Sequence, residues 1–264
     1  MKYILLMFML ILELCASVVQ SPIVSVEGTT ATIKIEKIDV GMSGFVVHHL
    51  PEGHTSILKN VVVKSFDSES KMATLEMSDY TGLFNNALPT GRWHVEIGDT
   101  VILAFAYDRG LLIAPNEEIY HRITISAKTL QWIHPDIFAT ILSFNGHRTP
   151  MKNDFEQLSN SVSVGLLFFY LDKKLYMVDS KSFAILTITD ADLAQESKQL
   201  PFYRRVPELD VIWLGEGSSE IEDYEPYYYE LLFTYNRENK QLLENIKAQG
   251  PKYEELLKKL ESKE

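Results

Sequence analysis

From Ile23 to Ala106 a turn signal interrupts the sequence about every ten residues, and the runs between the interruptions are rich in Val, Ile and Thr. Such runs suit half-buried strands, in which β-branched side chains pack on a pleated surface. The expected strands are Val24–Val26 and Thr30–Ile38 on either side of Glu27-Gly28, Gly44–Leu50 after Gly41, His54–Phe66, and Met72–Met77. Trp93–Ile97 and Val101–Ala106 are expected to form a last hairpin around Gly98-Asp99, because glycine supplies positive φ and aspartate bonds back to its own backbone. Asn85-Asn86 and Pro89-Thr90-Gly91 mark a longer loop before it. Short strands at this spacing predict a small β-barrel or sandwich over residues 22–107.

The pattern changes after Tyr107. Ala114-Pro115-Asn116-Glu117-Glu118 reads as a helix start, with acids near the positive end of the dipole. His134-Pro135-Asp136 opens a second helix carrying Ile137, Phe138, Ile141 and Leu142, with Asp136 as its cap. Lys152–Ser161 is a third, with Phe155 and Leu158 on one face. Gly165–Leu171, Lys174–Val178 and Phe183–Thr189 then read as strands joined by turns at Asp172-Lys173 and Asp179-Ser180. Helices followed by an antiparallel meander give an α+β domain over residues 108–215. Residues 216–264 read as an acidic linker, Gly215–Glu225, and C-terminal helices. One helix is expected over Glu230–Ala248, and another after Gly250-Pro251 with Tyr253, Leu256, Leu257 and Leu260 on one stripe. Tyr227-Tyr228-Tyr229 fits either an interface or burial against the α+β domain.

The N-terminus has the plan of a secretory signal: Lys2, the apolar run Tyr3–Leu12, Glu13, then the small residues Ala16 and Ser17. Glu13 interrupts the run before it reaches the ~20 residues that a spanning helix needs. Cleavage after Ser17 removes residues 1–17 and with them Cys15, the single cysteine, so thiol catalysis, thiolate metal sites and disulfides are not expected of the mature chain. Lys2 and Glu13 leave together, and the formal net charge stays at -11. So acidic a surface opposes a phosphate backbone, and nucleic acid is excluded as the expected partner. A composition of 46% hydrophobic and 11% aromatic residues is enough for a real core.

Motifs that carry chemistry are sparse. His48-His49 with His54 is the densest histidine group, but neighbours on a strand point to opposite faces, so His48 and His49 cannot aim at one ion. Ser56–Lys59 and Ser68–Lys71 have S-x-x-K spacing without the partner motifs of that set, and there is no G-x-S-x-G or Gly-rich phosphate loop. Glu216, Glu220, Glu222, Asp223 and Glu225 lack the alternating ligand spacing of a calcium loop. The expectation is a protein without catalysis and without a cofactor. A hydrolase or metal-binding enzyme using His48, His49 or His134 is the third reading.

Six blocks, taken in order, are more specific: Gly41–His49, Gly98–Leu103, Tyr107-Asp108-Arg109, Leu112–Glu118, Ile133–Phe138 and Pro201-Phe202-Tyr203. In this order they resemble the N-terminal region of the bacterial plasminogen-binding protein PgbA family. The resemblance implies an exported protein of a Gram-negative envelope, in the periplasm, at the outer membrane or on the cell surface, with host plasminogen as protein partner. A periplasmic structural or interaction module that binds no plasminogen is the alternative.

In that family, lysine-dependent capture is associated with a long Lys/Glu-rich tail ending in lysine, whereas this sequence ends Glu261-Ser262-Lys263-Glu264. The lysine-type candidates here are therefore Lys258, Lys259 and Lys263. Glu254 and Glu255 lie four residues before Lys258 and Lys259, where a cation and a carboxylate stand side by side on a helix. Kringle modules read such a pair of charges.

Overall fold

The computed structural model describes residues 18–80, 93–195, 197–206 and 217–261. In it the alternating runs become β1 (Val19–Glu27), β2 (Thr30–Lys34), β3 (Ser43–His49), β4 (Thr55–Asp67), β5 (Met72–Asp79) and β6 (Thr100–Leu103). All pairings are antiparallel, the order is β1-β2-β5-β4-β3-β6, and β6 returns to β1 to close a barrel. The period of two turns Ile23, Ile33, Val46, Val63, Leu75, Val101 and Leu103 inward, where all are buried. Among the described residues, closure leaves no strand of this sheet with an open edge. At the seam between β3 and β6, Gly44 stands opposite Leu103, and a Cβ on it would lie 2.0 Å from the Ile102 carbonyl oxygen. A residue without a side chain is what lets these strands meet.

The last hairpin differs from expectation. Trp93–Ile97 is not a strand. Gly98 donates its amide to Ile23 O and Asp99 accepts on its carbonyl from Ile23 N, so Gly98-Asp99 lays the chain against β1 instead of reversing it. The Asp99 carboxylate meanwhile accepts the Glu96 amide at 2.8 Å, which closes a tight loop ahead of β6. The expected loop at Asn85-Asn86 and Pro89-Thr90-Gly91 lies outside the described residues.

The chain divides into two compact units between Tyr107 and Asp108. The second holds β7 (Arg109–Ile113), α1 (Glu117–Ser126), β8 (Gln131–Ile133), α2 (Pro135–Asn145) and α3 (Lys152–Val162). It continues with β9 (Leu166–Leu171), β10 (Lys174–Asp179), β11 (Ile185–Asp190), α4 (Tyr224–Tyr235), α5 (Lys240–Ala248) and α6 (Glu254–Glu261). The sheet order is β11-β10-β9-β7-β8. β9, β10 and β11 form the antiparallel meander, while β7 and β8 extend the sheet in parallel. Parallel strands covered on both faces carry continuous apolar runs, and Leu111, Leu112 and Ile113 are all buried.

The C-terminal region is built into this core. Ile221, Tyr224, Tyr228, Tyr229, Leu232, Leu242, Ile246, Tyr253 and Leu260 join one cluster with Leu111, Phe138, Phe155 and Phe169. Glu225, read as part of a solvated linker, is 1% exposed. The tyrosines pack inward with their hydroxyls satisfied: Tyr224 donates to Ile113 O at 2.9 Å and Tyr228 to Pro201 O at 2.8 Å. Glu230–Ala248 is two helices, not one. Asn236 ends α4, donating to Leu232 O and Phe183 O and accepting from Ile185 N, and Asn239 caps α5 through Leu242 N. Asparagine competes with the helix for its own backbone, and here it does so twice within four residues.

Candidate binding surface on the last helix

The apolar stripe of α6 and the turn before it bury Tyr253, Leu256 and Leu260, which leaves Glu254, Glu255, Lys258 and Lys259 on the outward face. Lys258 donates to Glu254 at 2.8 Å, four residues back, as helix geometry predicts. Lys259 departs from the expected pairing with Glu255 and reaches Glu230 on α4 at 2.7 Å. Both lysines therefore stand beside a carboxylate at the surface, with Lys258 71% and Lys259 56% exposed. Pairs of this kind contribute only ~0.2–1 kcal/mol, so an incoming partner separates them readily. Lys263 and the signal-like residues 1–17 with Cys15 lie outside the described residues.

The histidines have separate tasks. His48 Nδ1 lies 2.6 Å from the buried carboxylate of Asp99, and His49 Nε2 lies 3.1 Å from Thr100 Oγ1. His134 caps α2: its Nδ1 accepts the Asp136 amide at 3.1 Å, so the histidine, not the aspartate, is the cap. Asp136 is taken instead by Arg205, whose amide and Nε donate at 2.9 and 2.7 Å. Burial opposes ionisation of Asp136, but those bonds outweigh it and hold the carboxyl below its ordinary pKa. Among the described residues no group of three or more His, Cys, Asp or Glu side chains is placed to hold a metal ion.

Three of the blocks singled out in the sequence meet just past the carboxyl ends of β7 and β8. Tyr203 donates its amide to Ala114 O at 2.8 Å and its hydroxyl to Glu117 at 3.2 Å. The rings of Tyr120, His134 and Tyr203 pack on one another with centroids 5.3 to 6.2 Å apart, and Phe202 stacks on Phe138. Burial pushes the Tyr120 phenol up to about 12 and His134 below its ordinary value. Rings this close leave no room between them, so the blocks Leu112–Glu118, Ile133–Phe138 and Pro201–Tyr203 build a packed hub. No local pattern points to Arg205, whose partner Asp136 lies 69 residues away.

Residues 18–232 match the family described as plasminogen-binding protein PgbA, N-terminal. The chain belongs to this family. Its relatives include the plasminogen-binding protein PgbA of Helicobacter pylori strain J99 and that of strain 26695, each 29% identical over 194 residues. The aligned stretch covers 72% of this chain and 42% of either relative, so the chain spans less than half the length of the curated relatives it matches. No solved structure matches it.

The PgbA N-terminal match takes in the barrel, the mixed sheet and most of α4, and it stops at residue 232. α5 and α6, with Lys258 and Lys259, lie beyond it. The relatives are named for binding a protein, not for a reaction.

Proposed function

We propose that this PgbA-family chain is an exported envelope or surface protein that binds plasminogen without catalysis, presenting Lys258 and Lys259 on the outward face of α6. The observation that carries the reading is the pairing of two exposed lysines with Glu254 and Glu230, which stands a cation beside a carboxylate at the surface. Family membership supports the partner, and the signal-like residues 1–17 support export. Among the described residues no helix is long and apolar enough to cross a membrane.

The test is binding to immobilised plasminogen, with and without a soluble lysine analogue. Point substitution suits it better than truncation, because Tyr253, Leu256 and Leu260 belong to the core. Lys258→Ala with Lys259→Ala is expected to abolish the analogue-sensitive binding, and Lys263→Ala reports on the last lysine. Binding that the analogue leaves untouched, or that the substitutions do not reduce, would move the site away from α6. Fractionation of cells with protease shaving of intact ones tests the location.

A second reading, a periplasmic structural module, is favoured by one observation: the family match ends before α6. It predicts no saturable binding of plasminogen to the folded chain.

A further inference from the structure

Beside the meander, four separate stretches of the second unit bring charged side chains to one pocket of about 320 Å³. Asp172 comes from the β9–β10 turn, Lys198 and Gln195 from the segment after β11, Glu225 from the first turn of α4, and Gln249 and Lys252 from the passage between α5 and α6. The volume sits at the lower end of the ~300–1,000 Å³ of small-molecule sites, which suits a ligand of few atoms.

The two carboxylates are withdrawn from water: the side chain of Glu225 is 2% exposed and that of Asp172 is 11% exposed. Glu225 accepts from Gln195 Nε2 at 2.9 Å and from Lys198, while Asp172 accepts from Lys252 Nζ at 2.7 Å and from the Tyr253 hydroxyl at 2.6 Å. That is one donor to each carboxylate oxygen. A carboxylate has about four lone-pair sites, so both retain accepting capacity. The cations also have capacity in reserve. Lys252 uses one of its donors on Asp172, and Lys198 uses two, on Asp223 and Glu225. Burial works against the charge on Lys198, but its bonds to Asp223 and Glu225 outweigh that and hold it protonated. The Gln249 amide has no side-chain partner among the described residues.

We propose that this pocket binds a small zwitterion, an ammonium and a carboxylate on a short stem as in a free amino acid. The ammonium bonds Glu225 and Asp172, and the carboxylate bonds Lys252, Lys198 and the Gln249 amide. A lone anion brought here meets two desolvated carboxylates, and a lone cation meets the ammonium groups of Lys173, Lys198 and Lys252, so a molecule carrying both charges is the one selected. The inference does not rest on plasminogen binding.

The experiment is calorimetric titration and thermal unfolding of the full chain with glycine, glutamate and lysine, and with acetate and methylamine as single-charge probes. Saturable binding with a raised melting temperature is expected for one or more amino acids and for neither single-charge probe. Lys252→Met and Gln249→Ala are expected to weaken that binding at least tenfold while the chain stays folded, since Asp172 keeps its Tyr253 bond. Lys198→Met is avoided because it would leave Glu225 buried without a cation. The proposal is overturned if no zwitterion binds the folded wild type, if acetate or methylamine binds equally well, or if both variants bind unchanged. Lysine analogues are themselves zwitterions, so Lys252→Met also serves in the plasminogen assay: analogue sensitivity that persists in this variant arises outside the pocket.

Discussion

The hydroxyl of Tyr253 donates to Asp172 at 2.6 Å, joining the turn that leads into α6 to the tip of the β9–β10 hairpin 81 residues away. Burial, reinforced by that carboxylate, holds the phenol far above its ordinary pKa, so it remains a donor at any working pH. Tyr253→Phe keeps the ring against Tyr229 and removes the bond. The loss is expected to be ~1.5–3 kcal/mol, the range for a hydrogen bond to a charged group, read as a lower urea midpoint. An unchanged midpoint would mean that Lys252 satisfies Asp172 alone.

Gly44→Ala tests the barrel seam. The added methyl would meet the Ile102 carbonyl at 2.0 Å, and backbone cannot rotate away as a side chain does. Either β3 separates from β6 or the closed sheet distorts, at a cost of roughly 3 kcal/mol or more, the upper range of overpacking. Circular dichroism during urea unfolding measures it. A variant as stable as the wild type would show that the strands can part there at no cost.

Acidification should expose the role of His134. Burial, with the positive charges of Arg205 and His121, lowers its pKa below the ordinary 6.5 against the pull of Asp136. Below pH 6.5 the unfolded chain therefore binds more protons at this site than the folded one, and stability falls with pH. The contribution is complete above 6.5 and disappears as the pH falls through the lowered folded value. Asp136, also lowered, adds a loss only in the carboxylate range near pH 4. His134→Asn keeps a capping side chain but does not titrate. Its urea midpoint should fall less than that of the wild type between pH 7 and about pH 5.5, and parallel falls would sink the assignment.

The barrel strands were legible in the sequence because their signals are local: alternation in Ala31–Ile33, Val61–Val63 and Ala73–Met77, and a glycine or a polar turn between runs. β8 was not, because three residues show no period. The run that became β7, Arg109–Ile113, took its meaning from β8 and β9 on either side of it. The break after α4 was visible as Asn236 and Asn239, but the apolar spacing of Leu231, Leu232, Leu242 and Leu243 drew a single helix across it. Lys258 found the neighbour that spacing gives it. Lys259 turned to Glu230, 29 residues away, and Arg205 to Asp136, 69 residues away, pairings set by packing that no local pattern encodes.

Replacing Lys258 by alanine removes an exposed i,i+4 pair and should change stability by no more than about 0.5 kcal/mol. Lys259→Ala leaves the Glu230 side chain, itself 23% exposed, without that cation, and should cost somewhat more, up to about 1 kcal/mol. Differential unfolding in low and high salt separates the two, since screening acts on the exposed pair first. A loss of several kcal/mol in either variant would mean that these lysines hold α6 in place, and any fall in plasminogen binding would then report unfolding.

Residues 18–107 and 108–261, produced separately, should each fold. Among the described residues, the first forms a barrel whose six strands pair with one another, and its interior is filled by its own side chains, Ile23 through Leu103. The second holds a core cluster, from Leu111 to Leu260, drawn entirely from its own residues. A unit with its own closed hydrogen-bonding and its own core meets the condition for independent folding. The barrel fragment is the smaller, and small domains bury a lower fraction of their surface, so it should unfold at the lower urea concentration. Cooperative unfolding of both fragments, with midpoints near two transitions of the whole chain, is the expected result. A barrel fragment without cooperative unfolding, from a chain that unfolds in one step, would show that the closed sheet depends on residues beyond Tyr107.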